Sequence, residues 1–219
     1  MNLVTAQEST QKSFVLGLNF SPSLDWMSPG TANYNSNGVI LGYGYGINMD
    51  FSLGHSANYF VNTGLQLKLS GGRLSYSDKL IVNNDSTVKD VNRKYKISYV
   101  RIPAAFKLKT NQFGRFTFYG LFGLDIDIRT GANANDEYPK LVPVTNINNI
   151  KISDDVALFR LGLLIGAGTE YTISGNTKVF GGIHFGNGFT DVLTGSNQNT
   201  GNKENATAKY VELSIGVLF

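Results

Sequence analysis

The stretch Gly38-Val-Ile-Leu-Gly-Tyr-Gly-Tyr-Gly-Ile-Asn-Met-Asp-Phe-Ser-Leu-Gly54 decides the fold. Val39, Leu41, Tyr43, Tyr45, Ile47, Met49, Phe51 and Leu53 fall on one side of a two-residue repeat. Ile40, Gly42, Gly44, Gly46, Asn48, Asp50 and Ser52 fall on the other. A helix would mix the two sets on every side, whereas a strand separates them. One face is bulky and apolar, and the other is small or polar.

Working outward, seven more segments carry the pattern. The first has Phe14, Leu16, Leu18 and Phe20 on its apolar face, and the third has Tyr59, Val61, Leu65, Leu67 and Leu69. The fifth sets Phe116, Phe118, Phe122, Leu124, Ile126 and Ile128 against Gly123, Asp125, Asp127 and Arg129. The sixth sets Phe159, Leu161, Leu163 and Ile165 against Arg160, Gly162, Gly166 and Glu170. The seventh sets Val179, Ile183 and Phe185 against Lys178, Gly182 and His184. The eighth sets Val211, Leu213, Ile215, Val217 and Phe219 against Glu212, Ser214 and Gly216. The fourth breaks phase. Ile97 and Tyr99 are apolar at odd positions, then Ile102, Ala104, Phe106 and Leu108 at even ones. A bulge near Val100–Pro103 is the expected cause, because a one-residue slip exchanges the faces.

Connections alternate in length. Segments 21–37, 71–93, 130–154 and 188–207 read as long loops rich in Asn, Ser, Asp and Gly. Those around 55–58, 110–114 and 174–176 read as tight turns. Residues 1–12 read as a residual signal or N-terminal segment and 13–219 as one barrel. Val4-Thr5-Ala6 resembles the small-residue end of a leader, with an ordinary frayed terminus as the alternative.

No apolar run reaches the roughly 18 residues of a membrane helix. Charged residues are only 16% of the chain, against roughly 25% in soluble domains. An eight-stranded barrel has an interior just wide enough for side chains. It cannot take Tyr43, Tyr45, Met49 and Phe51 from one strand. The glycines therefore belong inside and the bulky face outside, against lipid. The expected fold is all-β: an eight-stranded antiparallel up-and-down transmembrane β-barrel in the cell outer membrane, with long extracellular loops and short periplasmic turns.

That orientation places Asp50, Lys68, Asp125, Asp127, Arg129, Arg160, Glu170, Lys178, His184 and Glu212 in the interior. Both signs are present, so the groups can neutralise one another. The terminal Tyr210–Phe219, with Val211, Leu213, Ile215, Val217 and Phe219 on one face, looks like the signal read by the barrel-insertion machinery.

With the strands laid out, the chain resembles the PorT-like outer-membrane β-barrel family. Tyr99-Val-Arg-Ile-Pro103 with Ala104–Lys107 is similar to its Tyr-x-Glu-Ile-Pro strand, although Arg101 replaces the acidic residue. Gly166-Ala-Gly-Thr-Glu-Tyr171, preceded by Asp155, is similar to its Gly-x-Gly-x-Glu-Tyr strand, and the terminal strand is the third likeness. The resemblance implies a barrel whose best-known relative assists type IX secretion and gliding.

Other chemistry is weakly signalled. The chain has no cysteine, so disulfides and thiolate metal sites are excluded. The net charge of +3 is scattered, which disfavours nucleic acid. P-loop, dinucleotide and EF-hand spacings are absent, and no cofactor is expected. His55 reads as turn surface. His184 with Glu170 or Glu212 and Ser214 is the one arrangement that could be imagined as hydrolytic. Asp125 and Asp127 read as charge balance for Arg129 and Arg160. The expected role is non-enzymatic, acting through protein contacts as a secretion or assembly accessory or a surface-interaction module. The expected partners are outer-membrane lipid, the insertion machinery and a protein in a membrane complex. A lipid- or peptide-modifying enzyme and a narrow pore are the alternatives.

Overall fold

A computed structural model describes residues 14–54, 58–82, 85–141 and 144–219. The leader reading at Val4–Ala6 and the turn residue His55 lie outside the described residues. Eight strands form the ring: β1 Phe14–Pro29, β2 Ile40–Ser52, β3 Tyr59–Val82, β4 Asp85–Lys109, β5 Phe116–Tyr138, β6 Phe159–Ser174, β7 Thr177–Gly188 and β8 Ala206–Leu218. Each pairs antiparallel with its neighbours in sequence, and β1 pairs with β8 to close the barrel. Closure removes the open sheet edges that hydrocarbon cannot satisfy. Two short strands lie outside the ring, Asn35–Ser36 on β3 and Thr145–Lys151 on β5. At the tight turns Gly114 and Gly175 take φ of 60° and 56°, a left-handed geometry that costs a side-chain-bearing residue more.

The outward faces form a continuous apolar belt. Leu18, Phe106, Phe122 and Ile183 are 56%, 59%, 59% and 63% exposed. A surface of this kind would drive association in water; in hydrocarbon it is the favourable outcome.

β3, β4 and β5 run to 24, 25 and 23 residues, about twice the ~10 a tilted membrane strand needs. Segments 71–93 and the first part of 130–154, expected as loops, are therefore mostly strand. Their polar composition hid this, because above the lipid the outward residues are hydrophilic and the alternation inverts. Leu74, Tyr76, Val91, Tyr95, Ile97 and Ala134 point inward there. They pack with Met27, Ile152, Val156, Val192 and Leu193 into a conventional hydrophobic core. The barrel has two storeys: polar inside and greasy outside within the membrane, the reverse above it.

This inversion also corrects the expected bulge in β4. The β3–β4 register is constant from Tyr59↔Leu108 to Val82↔Asp85, skipping only the rungs around Pro103, which has no N–H to give. Odd residues of β4 point inward throughout, from Val91 to Lys109. The apparent change of phase marks the level where the interior turns from charged to apolar. The real bulge lies on β5. Ser98 faces Gly131 and Tyr99 faces Arg129, leaving Thr130 as the extra residue. Below Thr130 the odd residues of β5 face inward; above it the even residues Ala132, Ala134 and Asp136 do.

Candidate functional site: the ionic interior and the raised ribbon

Strands from one to four positions apart around the ring bring opposite charges together inside the membrane storey. Near the short-turn end, Lys107 Nζ lies 2.8 Å from Asp50 and 2.9 Å from Glu170. Lys109 Nζ lies 3.1 Å and 2.8 Å from the same two carboxylates. Asn62 donates to Asp50 at 2.7 Å, and Lys178 reaches Glu170 at 3.2 Å from the rim.

Farther up, Lys68 Nζ lies 2.6 Å from Glu212 and 4.0 Å from Asp25. The Arg101 guanidinium is shared among Asp127 (2.8 Å), Glu212 (3.4 Å) and Asp125 (3.6 Å). Arg160 Nε donates to Asp127 at 2.8 Å. Ser23 and Ser70 donate to Asp25 at 2.6 and 2.7 Å. The Tyr210 hydroxyl donates to Asp125. The Tyr210 ring is held between Lys68 and Arg101, at 3.9 and 4.4 Å from its centroid. Gly186 makes room for that ring, since a β-carbon there would overlap it.

Between the clusters lies a void of about 30 Å³, bordered by Asp50, Arg101, Lys107, Asp125, His184 and Glu212. A water molecule needs roughly 10–15 Å³ of such volume. One or two waters fit, and they would meet Arg101 Nη2, Asp125 Oδ1 and His184 Nε2, which lack protein partners among the described residues.

The structure brings Asp50, Lys68, Asp125, Asp127, Arg160, Glu170 and Glu212 together in this interior, all buried. Lys178 stands at the rim. Arg129 is half-buried, with a buried Nε that finds no partner and no ion pair among the described residues. His184 is half-buried, and its Nδ1 lies 3.2 Å from Glu212 Oε1. Ser214, imagined as a nucleophile, instead accepts from Ser21 at 3.3 Å, so His184 and Ser214 share no hydrogen bond. Val211, Leu213, Ile215 and Phe219 face outward at 38–50% exposure, and Val217 is half-buried on the same face.

Sequence reasoning missed Asp25, Arg101, Lys107, Lys109 and Tyr210. The three cations were lost with the supposed phase slip in β4. Had one alternation been kept through Val91–Lys109, Arg101, Lys107 and Lys109 would have fallen inside. Tyr210 shares the even register of Glu212, and that signal was available.

At the long-loop end, segment 189–205 folds over the opening. Asn197 Nδ2 donates to Tyr34 Oη at 2.8 Å and to the Ser77 carbonyl at 3.0 Å. Tyr34 in turn donates to Glu204 at 2.7 Å and stacks on Tyr76 at 4.2 Å. Burial pushes the Glu204 carboxyl and the Tyr34 phenol above their ordinary values. Arg93 grips Asp136 with two 2.6 Å hydrogen bonds. Segment 189–205 also holds the base of the ribbon, with Gln198 N–H donating to Asp78 at 3.0 Å, but among the described residues no further strand pairs with β3 and β4 beyond this cap. β5 last meets β4 at Asn92, and Asn35–Ser36 meets β3 only at Leu74–Ser75.

An outer-membrane assignment follows from an apolar belt around an ionic interior in a closed eight-stranded ring. The outer membrane protein beta-barrel domain matches residues 5–194. The chain belongs to that family. As a member of the outer membrane protein beta-barrel family it resides in the cell outer membrane, with the long-loop end outside. Among solved structures it is similar to Neisserial surface protein A, at 12% identity over 94% of this chain and 96% of that one, TM-score 0.48. It is also similar to OprG of Pseudomonas aeruginosa, at 10% identity over 94% and 95%, TM-score 0.40. A third similar structure is Ail of Yersinia pestis, at 10% identity over 95% and 100%, TM-score 0.38. A search among curated proteins returned no relative.

Proposed function

We propose that this family member is a non-enzymatic barrel that acts by protein contact, as a secretion or assembly accessory or a surface-interaction module. The observation that carries the reading is the raised ribbon. Above Asn92 and Ser75, β3 and β4 pair with one another down to Val82↔Asp85. Among the described residues no other strand pairs with them there. From Val91 to Asp85 the ribbon rises about 20 Å at roughly 3.3 Å per residue. Unpaired strand edges are templates for a partner strand, and proteins usually blunt them when they serve no contact. The ionic interior below serves as a rigid pedestal.

The likeness of Tyr99–Lys107 and Gly166–Tyr171 to PorT-like strands favours the secretion-accessory form of this reading. The outward Val211, Leu213, Ile215 and Phe219 suit recognition by the barrel-insertion machinery during assembly. Replacing 79–88 by an Asn-Gly turn between Asp78 and Lys89, which face each other in register, tests the proposal. The shortened barrel should fold and insert normally, yet lose the proteins that cross-link to the native chain in its own membrane. An unchanged set of cross-linked partners would sink it.

A further inference from the structure

The outward face just above the apolar belt carries an unbalanced group of cations. Arg73 on β3 stands directly opposite Lys94 on β4. Lys94 stands opposite Asn135 on β5, and Lys96 opposite Asn133. Asn133 in turn faces Lys151 of the short strand Thr145–Lys151. Like charges directly opposite in a sheet are destabilising. Yet Arg73, Lys94, Lys96 and Lys151 have no ion-pair partner among the described residues. Burial, then the charges of Arg73 and Lys96, pull the Lys94 ammonium below its ordinary value. The sheet here forms a cleft of about 200 Å³, lined by Arg73, Lys94 and the amides of Asn37, Asn92, Asn135 and Asn148, with the mutually neutralised Arg93–Asp136 pair also on its wall. Glu137 is the outward carboxylate at its edge. Cations among amide side chains form a donor-rich surface suited to phosphate oxygens and sugar hydroxyls.

The height of the group selects the partner. Lys96 and Lys94 continue the outward series Phe106, Ala104, Ile102, Val100, Ser98 of β4, and Arg73 continues Leu65, Leu67, Leu69, Gly71 of β3. Arg73 and Lys96 both lie four residues beyond the last lipid-facing side chain of their strands. That is about 13 Å along a strand, and about 10 Å in height once the strand tilt of ~40° is allowed for. The polar headgroup layer is roughly 5–8 Å deep on each side of the hydrocarbon, so the backbone at Arg73 and Lys96 stands at its outer edge, and their long side chains can reach back down into it. The side chains point sideways over the membrane rather than up toward the medium.

We propose that Arg73, Lys94, Lys96 and Lys151 form a docking face for the phosphorylated sugar headgroup of an outer-leaflet glycolipid. The lipid's acyl chains would lie on the apolar belt beneath, so the two surfaces act as one site. The ribbon reading does not depend on this face.

The test uses the full chain in phosphatidylcholine nanodiscs with diphosphorylated lipid A as probe. Lipid retained per barrel is counted by mass spectrometry. The native chain should retain lipid A, and raising the salt should weaken retention. The fourfold variant Arg73→Gln, Lys94→Gln, Lys96→Gln, Lys151→Gln should lose at least tenfold in affinity. A control variant, Lys79→Gln with Lys89→Gln on the ribbon, should not. Equal retention by the fourfold variant overturns the proposal. If that variant does not fold, the native chain decides alone: enzymatic removal of both lipid A phosphates should abolish retention, and undiminished retention overturns the proposal. A soluble sulfated polysaccharide bound as tightly as lipid A, with the same loss in the fourfold variant, would assign the face to a polyanion and overturn the lipid reading.

Discussion

Lys68 and Glu212 meet across the barrel, their Nζ and Oε2 atoms 2.6 Å apart, although 144 residues separate them in the chain. Lys68 projects from β3 and Glu212 from β8, with β2 and β1 between them in the ring. The contact ties opposite walls together and helps fill a space that could otherwise hold water. Arg101 leans on the same carboxylate at 3.4 Å. Removing the charge from Glu212 leaves two buried cations undercompensated. Breaking a buried pair from one side costs about 3–5 kcal/mol, whereas replacing both partners by apolar groups is often neutral. Glu212→Gln should therefore lower the unfolding free energy by about that amount in urea titrations on lipid vesicles. The double variant Lys68→Met, Glu212→Leu should recover much of it. A Glu212→Gln barrel as stable as the native one would show that the interior charges are not mutually dependent.

His184 touches the same network but contributes less. Its Nδ1 is one of several contacts to Glu212, beside Lys68 and Arg101, and its Nε2 meets no hydroxyl among the described residues. A hydrolytic role would need a nucleophile within hydrogen-bond reach. His184→Ala should cost about 1 kcal/mol of stability, the worth of one modest hydrogen bond. It should leave lipid A and membrane-peptide profiles of expressing cells unchanged. A change in either profile would favour the enzymatic alternative.

The membrane storey was legible in the sequence because lipid imposes one rule along every strand. Gly38–Gly54 shows it without interruption, and the outward and inward sets read there are the sets found. The upper storey was not legible. Gly71–Val82 and Asp85–Arg93 keep their strand pairing, but the outward residues Arg73, Ser75 and Ser77 meet water, so polarity suggested a loop. Where the two storeys join, Tyr99 and Arg101 point the same way in different chemical settings. Alternation judged by hydrophobicity alone turns that change of setting into a false bulge. Thr130 is the reverse case, a real bulge in a stretch where small and polar residues carry no phase.

Glu204 gives the cap a defined pH response. Burial raises its carboxyl above the unfolded value of about 4.3. The folded state therefore holds this proton more tightly than the unfolded chain. Stability from this group is fully present below the unfolded value and is lost as pH rises through the higher folded value. Amide hydrogen exchange at Val192, whose N–H donates to the Ala206 carbonyl, should be more protected at pH 4 than at pH 7 after correction for intrinsic rates. Glu204→Gln keeps an acceptor for Tyr34 and should flatten the difference. A native cap more protected at pH 7 would contradict the assignment.

The inversion between storeys can be tested with one kind of substitution at two heights. Phe106 faces outward in the belt at 59% exposure, and Leu74 faces inward above it at 0%. Lysine at Phe106 meets hydrocarbon, where a charge near the midplane costs about 2–4 kcal/mol and less toward the interfaces. Most of that cost should vanish in detergent micelles, where water reaches the side chain more readily. Lysine at Leu74 is buried among Met27, Tyr76 and Val91 with no carboxylate of its own, and an unpaired buried charge is costly whatever surrounds the barrel. Unfolding measured in vesicles and in micelles should therefore separate the two. Phe106→Lys should be destabilised chiefly in vesicles, and Leu74→Lys equally in both. If Leu74→Lys lost its penalty in micelles, Leu74 would lie against lipid and the membrane boundary would sit higher on β3 than Leu69.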